Sequence, residues 1–184
     1  MSEGEWAWFR TGSGGAWLRL HLLSFRPPPP GWRHLACLHQ WREGAEFLLG
    51  AGLPALAAIA FSRGLRLAVS LCGGGGTSGG RGQALKAELH SGLAECQLRL
   101  RLPWAALANG GKALELSPAH LEARLKRARA AAAMLDLEMA EEEVRRVLRA
   151  EPDHAPARLL LLQVRALLRQ RDRRLARRLG RLFA

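Results

Sequence analysis

The chain has 184 residues, enough for one domain with a real core and a short appendage. Six Trp, five Phe, no Tyr and 48% hydrophobic residues describe a globular protein and exclude a disordered one. The net charge of +12 invites a nucleic-acid partner, but residues 156–184 carry +8 of it, as nine Arg against one Asp, without the interleaved aromatics of a stacking surface, so nucleic acid is not expected.

Other classes fall away on composition. The longest apolar run, Leu48–Phe61, is broken by Gly50, Gly52 and Pro54, short of the roughly 18 residues a membrane span needs. Glu3 and Glu5 stand at the start with no apolar core behind a basic end, so no cleavable signal is expected. Cys37, Cys72 and Cys96 are odd in number and unclustered, which is neither a disulfide framework nor a zinc pattern. A reducing cytoplasm, with the nucleus as a second possibility, is the expected home, and no metal or cofactor is expected.

In chain order, residues 1–15 show no periodicity. Ala16–Phe25 (AWLRLHLLSF) alternates, with Leu18, Leu20 and Leu22 opposite Arg19 and His21, and predicts a strand. The sequence offers it nothing to pair with, so it docks on a missing neighbour or a partner, or is the stump of a larger domain. Pro27–Pro30 is a stiff linker that a proline-binding module could also take. From Trp32 the spacing turns helical. Trp41, Ala45, Leu48, Gly52, Ala57 and Phe61 fill the core positions of a first helical hairpin over about 38–71, with its turn near Gly50–Pro54. Gly44 could replace Ala45 as the small crossing residue if one residue is inserted. Cys72–Gly82 (CGGGGTSGGRG) is a flexible loop, and no Gly-Lys-Ser/Thr makes it a phosphate cradle.

Residues 87–152 then repeat themselves. Ala94 and Ala128, Ala106 and Ala140, Ala113 and Val147, and Pro118 and Pro152 each stand 34 apart, the period of the tetratricopeptide repeat. Small residues let two helices cross at about 8–10 Å, and a proline cannot continue a helix ladder. The second repeat takes about 83–118 and the third about 119–152, with turns at Leu102–Pro103 and Leu135–Asp136. Asp153 is expected to cap a last helix with Pro156 in its first turn. That helix opens apolar, to seal the last repeat. It continues with Leu175, Leu179, Leu182 and Phe183 on one side and Arg171, Arg173, Arg174, Arg177, Arg178 and Arg181 around the rest. Its arginines complement the negative helix end, and residues 170–184 would also suit a calmodulin-like or acidic partner. The fold class is therefore all-α: three tetratricopeptide repeats in a helix–turn–helix superhelix with a C-terminal capping helix and a short N-terminal strand remnant. The segments are 1–31, 32–155 and 156–184. The six histidines (His21, His34, His39, His90, His120, His154) lack ligand spacing or a paired nucleophile, and Glu141–Glu143 reads as a solvated face, so no catalytic residues are expected.

A strand ending in Ser-Phe, a linker, three repeats with a loop after the first, and a helix ending in Leu-Phe-Ala resemble the C-terminal half of the large FKBP-family immunophilins. Arg63–Leu71 (RGLRLAVSL), Gly92–Leu98 (GLAECQL), Lys112–Leu116 (KALEL) and Val147–Asp153 (VLRAEPD) carry the resemblance. It implies that Ala16–Phe25 ends a prolyl-isomerase domain. About 25 residues cannot line an isomerase pocket, so no isomerase activity is expected; the alternative is the regulatory half of a longer isomerase. The resemblance also implies a groove that binds the acidic C-terminus of the heat-shock 90 chaperone through a two-carboxylate clamp. The matching positions are Arg42, Glu46, Gly92, Glu122 and Lys126. Only Arg42 and Lys126 keep basic chemistry; Gly92 has no amide to donate, and Glu46 and Glu122 repel a carboxylate. Three lost contacts at roughly 1.5–3 kcal/mol each weaken such binding on the order of a thousandfold, with Arg99 and Arg129 in the same groove as partial replacements. The expected function is a non-enzymatic adaptor or co-chaperone-like scaffold that holds a partner peptide.

Overall fold

The computed structural model describes residues 6–10, 17–21, 32–72 and 80–181. The chain divides into two compact units, Met1–His34 and Leu35–Ala184. In the first, β1 (Trp6–Arg10) and β2 (Trp17–His21) pair antiparallel, with Trp6 opposite His21 and Arg10 opposite Trp17. The expected strand is thus observed over five of its residues, while Ala16, Leu22–Phe25 and the proline linker lie outside the described residues. The expectation that it had nothing to pair with is corrected: its partner comes from the unperiodic stretch 1–15. The sequence hid β1 because WAWFR is apolar at four of five positions and does not alternate.

Seven helices follow among the described residues, all but the first three residues of α1 in the second unit: α1 (Trp32–Gly50), α2 (Pro54–Cys72), α3 (Gly80–Arg99), α4 (Pro103–Leu116), α5 (Leu121–Ala133), α6 (Leu137–Ala150) and α7 (Ala155–Gly180). The first six form three hairpins. The glycine-rich loop is shorter than expected: Cys72 still belongs to α2 and Gly80–Gly82 to α3, and 73–79 lie outside the described residues. Gly82 is buried, so packing overrides its poor helix propensity.

One joint closes all three hairpins. Leu53 N–H donates to Leu48 O, Leu102 N–H to Gln97 O, and Asp136 N–H to Ala131 O, at 3.0, 2.8 and 3.0 Å. The residue before each donor is left-handed: Gly52 at φ +76°, Arg101 at +60° and Leu135 at +64°. This is the Schellman ending, which satisfies carbonyls that the helix terminus leaves open. Between the joints the crossing residues Ala45, Ala57, Ala94, Ala106, Ala113, Ala128, Ala140 and Val147 are all fully buried. Ala45 is the small residue of the first hairpin; Gly44 is exposed beside open space.

The last helix begins one residue later than the cap assignment required. His154, not Asp153, caps α7, its Nδ1 accepting from Ala157 N–H at 3.2 Å; Asp153 instead pairs with Arg158. The start of α5 is the same joint 34 residues earlier: His120 Nδ1 accepts from Ala123 N–H at 3.4 Å. Arg124 and Arg158 then reach back to Pro118 O and Pro152 O at 2.8 and 2.7 Å. So α7 starts as the first helix of a fourth repeat would. Its Ala157, Leu160 and Leu161 cover Leu125, Ala128, Val144 and Val147, and Val164 and Leu168 cover Ala131, Leu137 and Ala140.

The reading of Glu141–Glu143 as a solvated face is also corrected. Glu143 is 3% exposed and meets Arg124, Arg146 and Arg127 at 3.0, 3.4 and 3.8 Å. Glu141 is half-buried and pairs with Arg145 and Arg165. Only Glu142 is exposed. The helix turns residue 143 inward, onto three guanidiniums that make its burial tolerable.

Candidate functional site

Because hairpins alternate direction, α1, α3 and α5 run parallel. Their contacts keep the repeat register: Arg129 meets Glu95, 34 residues before it, and Lys126 meets Ser91, 35 before it. Between these helices lies a cleft of about 190 Å³. Arg42 and Glu46 of α1, Gly92 of α3, and Glu122 and Lys126 of α5 all line it, with Leu49 and Phe61 as its apolar wall. Arg99 and Arg129 reach it through Glu95, at 3.2 and 3.4 Å, and Arg99 also donates to Leu49 O at 2.8 Å. Five of the seven residues singled out from the sequence therefore line one cleft, and Arg99 and Arg129 adjoin it through Glu95.

Its electrostatics differ from those of an open basic clamp. Arg42 is shared among Glu46, Glu88 and Glu43, at 3.4, 3.4 and 3.9 Å, and its buried Nε–H has no acceptor among the described residues. Lys126 Nζ donates to Ser91 Oγ at 3.0 Å. Burial holds the Lys126 ammonium below its ordinary pKa, against the opposing pull of Glu95 and Glu122. Glu122 lies 3.6 Å from His154 Nε2. Gly92 has a packing reason as well: a Cβ there would stand 2.4 Å from the Phe61 ring. The ring occupies the space a longer side chain would use to reach a ligand.

Glu88, Ser91, Glu95 and His120 also belong to the site and were not foreseen. Their signal was available, since Glu88 and Glu122, and Glu95 and Arg129, are separated by the repeat period. Elsewhere, His90 Nδ1 contacts Asn109 Oδ1 at 2.9 Å, and burial pushes the Cys96 thiol up to about 11, which leaves it unreactive. Among the described residues no three His, Cys, Asp or Glu side chains could hold a metal ion, and no helix is long and apolar enough to cross a membrane.

Stacked antiparallel helix pairs whose parallel inner helices share a polar cleft define a tetratricopeptide-repeat protein, sealed here by an extra helix. No family model matches the chain. Along its whole length, however, it is similar to FK506-binding protein-like: it is 32% identical to the mouse (Mus musculus) protein over 191 aligned positions and 32% identical to the human (Homo sapiens) protein over 189. The chain spans about half the length of these curated relatives, 53% and 52% respectively. Among solved structures, it resembles the C-terminal TPR-containing domain of a putative FK506-binding protein from Plasmodium falciparum, with TM-score 0.68 and 13% identity over 78% of this chain and 95% of that one. It also resembles the first TPR of Spaghetti (RPAP3) bound to the HSP90 peptide SRMEEVD, with TM-score 0.60 and 20% identity over 71% and 92%. At these identities the structural likeness is one of fold.

Proposed function

We propose that the chain is a non-enzymatic adaptor, a co-chaperone-like scaffold that holds an extended peptide of a partner between α1, α3 and α5. The convergence of Arg42, Glu46, Gly92, Glu122 and Lys126 on one cleft carries this reading. The acidic C-terminus of a heat-shock 90 chaperone is the partner suggested by the family resemblance and by the peptide bound to the similar Spaghetti domain. In such a complex Lys126 and Arg42 hold the carboxylates, and Arg99 and Arg129 replace part of the lost clamp. Binding is weak, because each of these arginines must leave a glutamate to engage the peptide.

Calorimetric titration of the full chain with SRMEEVD tests it. We expect a Kd in the high micromolar range at low salt, lost with Lys126→Ala. No heat from the unaltered chain, or heat unchanged by Lys126→Ala, removes this partner.

A further inference from the structure

The outer face of the repeats carries a larger recess than the inner one. α4 and α6 both pack on α5 and leave a gap between them. It holds a groove of about 780 Å³, against about 190 Å³ for the inner cleft. Trp104, 71% exposed, stands at its apolar end with Leu107 and Ala108. Arg124, Arg127 and Arg146 line the rest around the buried Glu143, and one carboxylate cannot neutralise three guanidiniums. Arg124 is fixed by Glu143 and Pro118 O, and Arg146 also pairs with Glu142. Arg127 is left with a carboxylate oxygen 3.8 Å away, beyond hydrogen-bond reach. Past Pro118 the groove continues to Arg149, which has no acidic partner among the described residues. Glu115 is the acid on its wall. Two neighbouring glycines of α4 bear on this groove differently. Gly110 has a packing reason: a Cβ there would stand 3.1 Å from Arg127 Cβ. Gly111 has none, since a Cβ would meet nothing within 4 Å, and glycine is disfavoured inside a helix. Its bareness serves the groove it lines, which a longer side chain there would fill.

We propose that the outer groove docks a short linear segment of a partner protein, an apolar side chain against Trp104 and Leu107 and carboxylates on Arg127 and Arg146. From Trp104 to Gly110, beside Arg127, α4 rises about 9 Å, which about three residues of extended chain span. A guanidinium holds a carboxylate in a two-pronged fork, so one free arginine suffices for each acidic residue. Nucleic acid and anionic lipid present continuous charge, and Glu115 and Glu142 would interrupt it. A peptide places its carboxylates singly and avoids both. A second copy of the chain would bring the same arginines to the same charges.

The test uses the full chain and two fluorescent ten-residue peptides, equal in composition. One has two leucines near one end and three glutamates near the other, with serines between; its permutation intersperses them. Anisotropy at 150 mM salt is expected to show at least tenfold tighter binding of the sorted peptide. Trp104→Ser, Arg127→Gln and Gly111→Leu should each cost about tenfold. Gly111→Leu fills the groove from a position with open space, so it keeps or raises the melting temperature and separates lost binding from lost folding. Lys126→Ala, in the inner cleft, should leave the sorted peptide bound, and Gly111→Leu should leave any binding of SRMEEVD unchanged, so the two sites fail independently. Equal or undetectable binding of the two peptides overturns the proposal, as does binding that survives Gly111→Leu or is lost with Lys126→Ala. So does tighter binding of duplex DNA or phosphatidylserine vesicles, or a dimer in sedimentation that Trp104→Ser disperses.

Discussion

At the scale of single residues, one histidine does work that its neutral form alone can do. His120 caps α5 with Nδ1 as the acceptor, so its proton must sit on Nε2. Protonation would turn that acceptor into a donor and place a cation at the positive end of a helix. Burial, then the nearby Lys126, holds His120 below its ordinary 6.5, and burial does the same to His90. The unfolded chain therefore takes up protons first as pH falls. The stabilising contribution is complete above pH 6.5 and is lost as pH falls toward the lower folded values. Thermal melts between pH 5 and 8 should show stability falling on the acid side. His120→Asn, which caps without titrating, should flatten that limb; an unchanged slope would assign the acid sensitivity to other groups. None of this was legible beforehand. The six histidines show neither ligand spacing nor a paired nucleophile, and a histidine caps a helix too rarely to be guessed. Glu143 shows the same limit. Three consecutive glutamates look solvated, and only the turn of the helix decides that the third points inward.

At the scale of elements, small residues and prolines made the stack readable, because crossing geometry admits few alternatives. The joints were legible only as places. Gly52 announced a left-handed position; Arg101 and Leu135 hold the same conformation with no such announcement. The ending is imposed by helix and partner, and the residue there bears the strain. A side chain in this region costs about 1–2 kcal/mol, offset in part by the about 0.4–1 kcal/mol of extra chain entropy that glycine loses on folding. Leu135 is 71% exposed, so its removal forfeits little packing. Leu135→Gly should raise unfolding free energy by about 0.5–1 kcal/mol in urea titrations. Gly52→Ala should lower it by a similar amount, since open space around Gly52 leaves conformation as the only difference. The reverse order of the two effects would mean that the joints do not hold these angles in solution.

At the scale of the molecule, α7 is two things in one helix. Through Leu168 it is structural; past Arg171 its described side chains, to Arg181, are all exposed. The sequence showed the change of character, apolar then arginine-rich, but not where the stack ends, because leucines continue on both sides of that point. Two truncations separate the halves. Among the described residues, removing 170–184 deletes only exposed side chains and the surface Arg171–Glu138 pair, so the melting temperature should stay within a few degrees. Removing residues 155–184 uncovers Leu125, Ala128, Val144 and Val147 and takes away Leu160, Leu161 and Val164. At roughly 1.5–3 kcal/mol per buried aliphatic side chain, the loss is comparable to the whole net stability of about 5–15 kcal/mol for a domain. Circular dichroism of the shorter form should show a broad, early melt with aggregation, while the longer form melts cooperatively. If the 155–184 deletion melted like the full chain, the three repeats would be self-sufficient, and α7 along its whole length would be free for a partner.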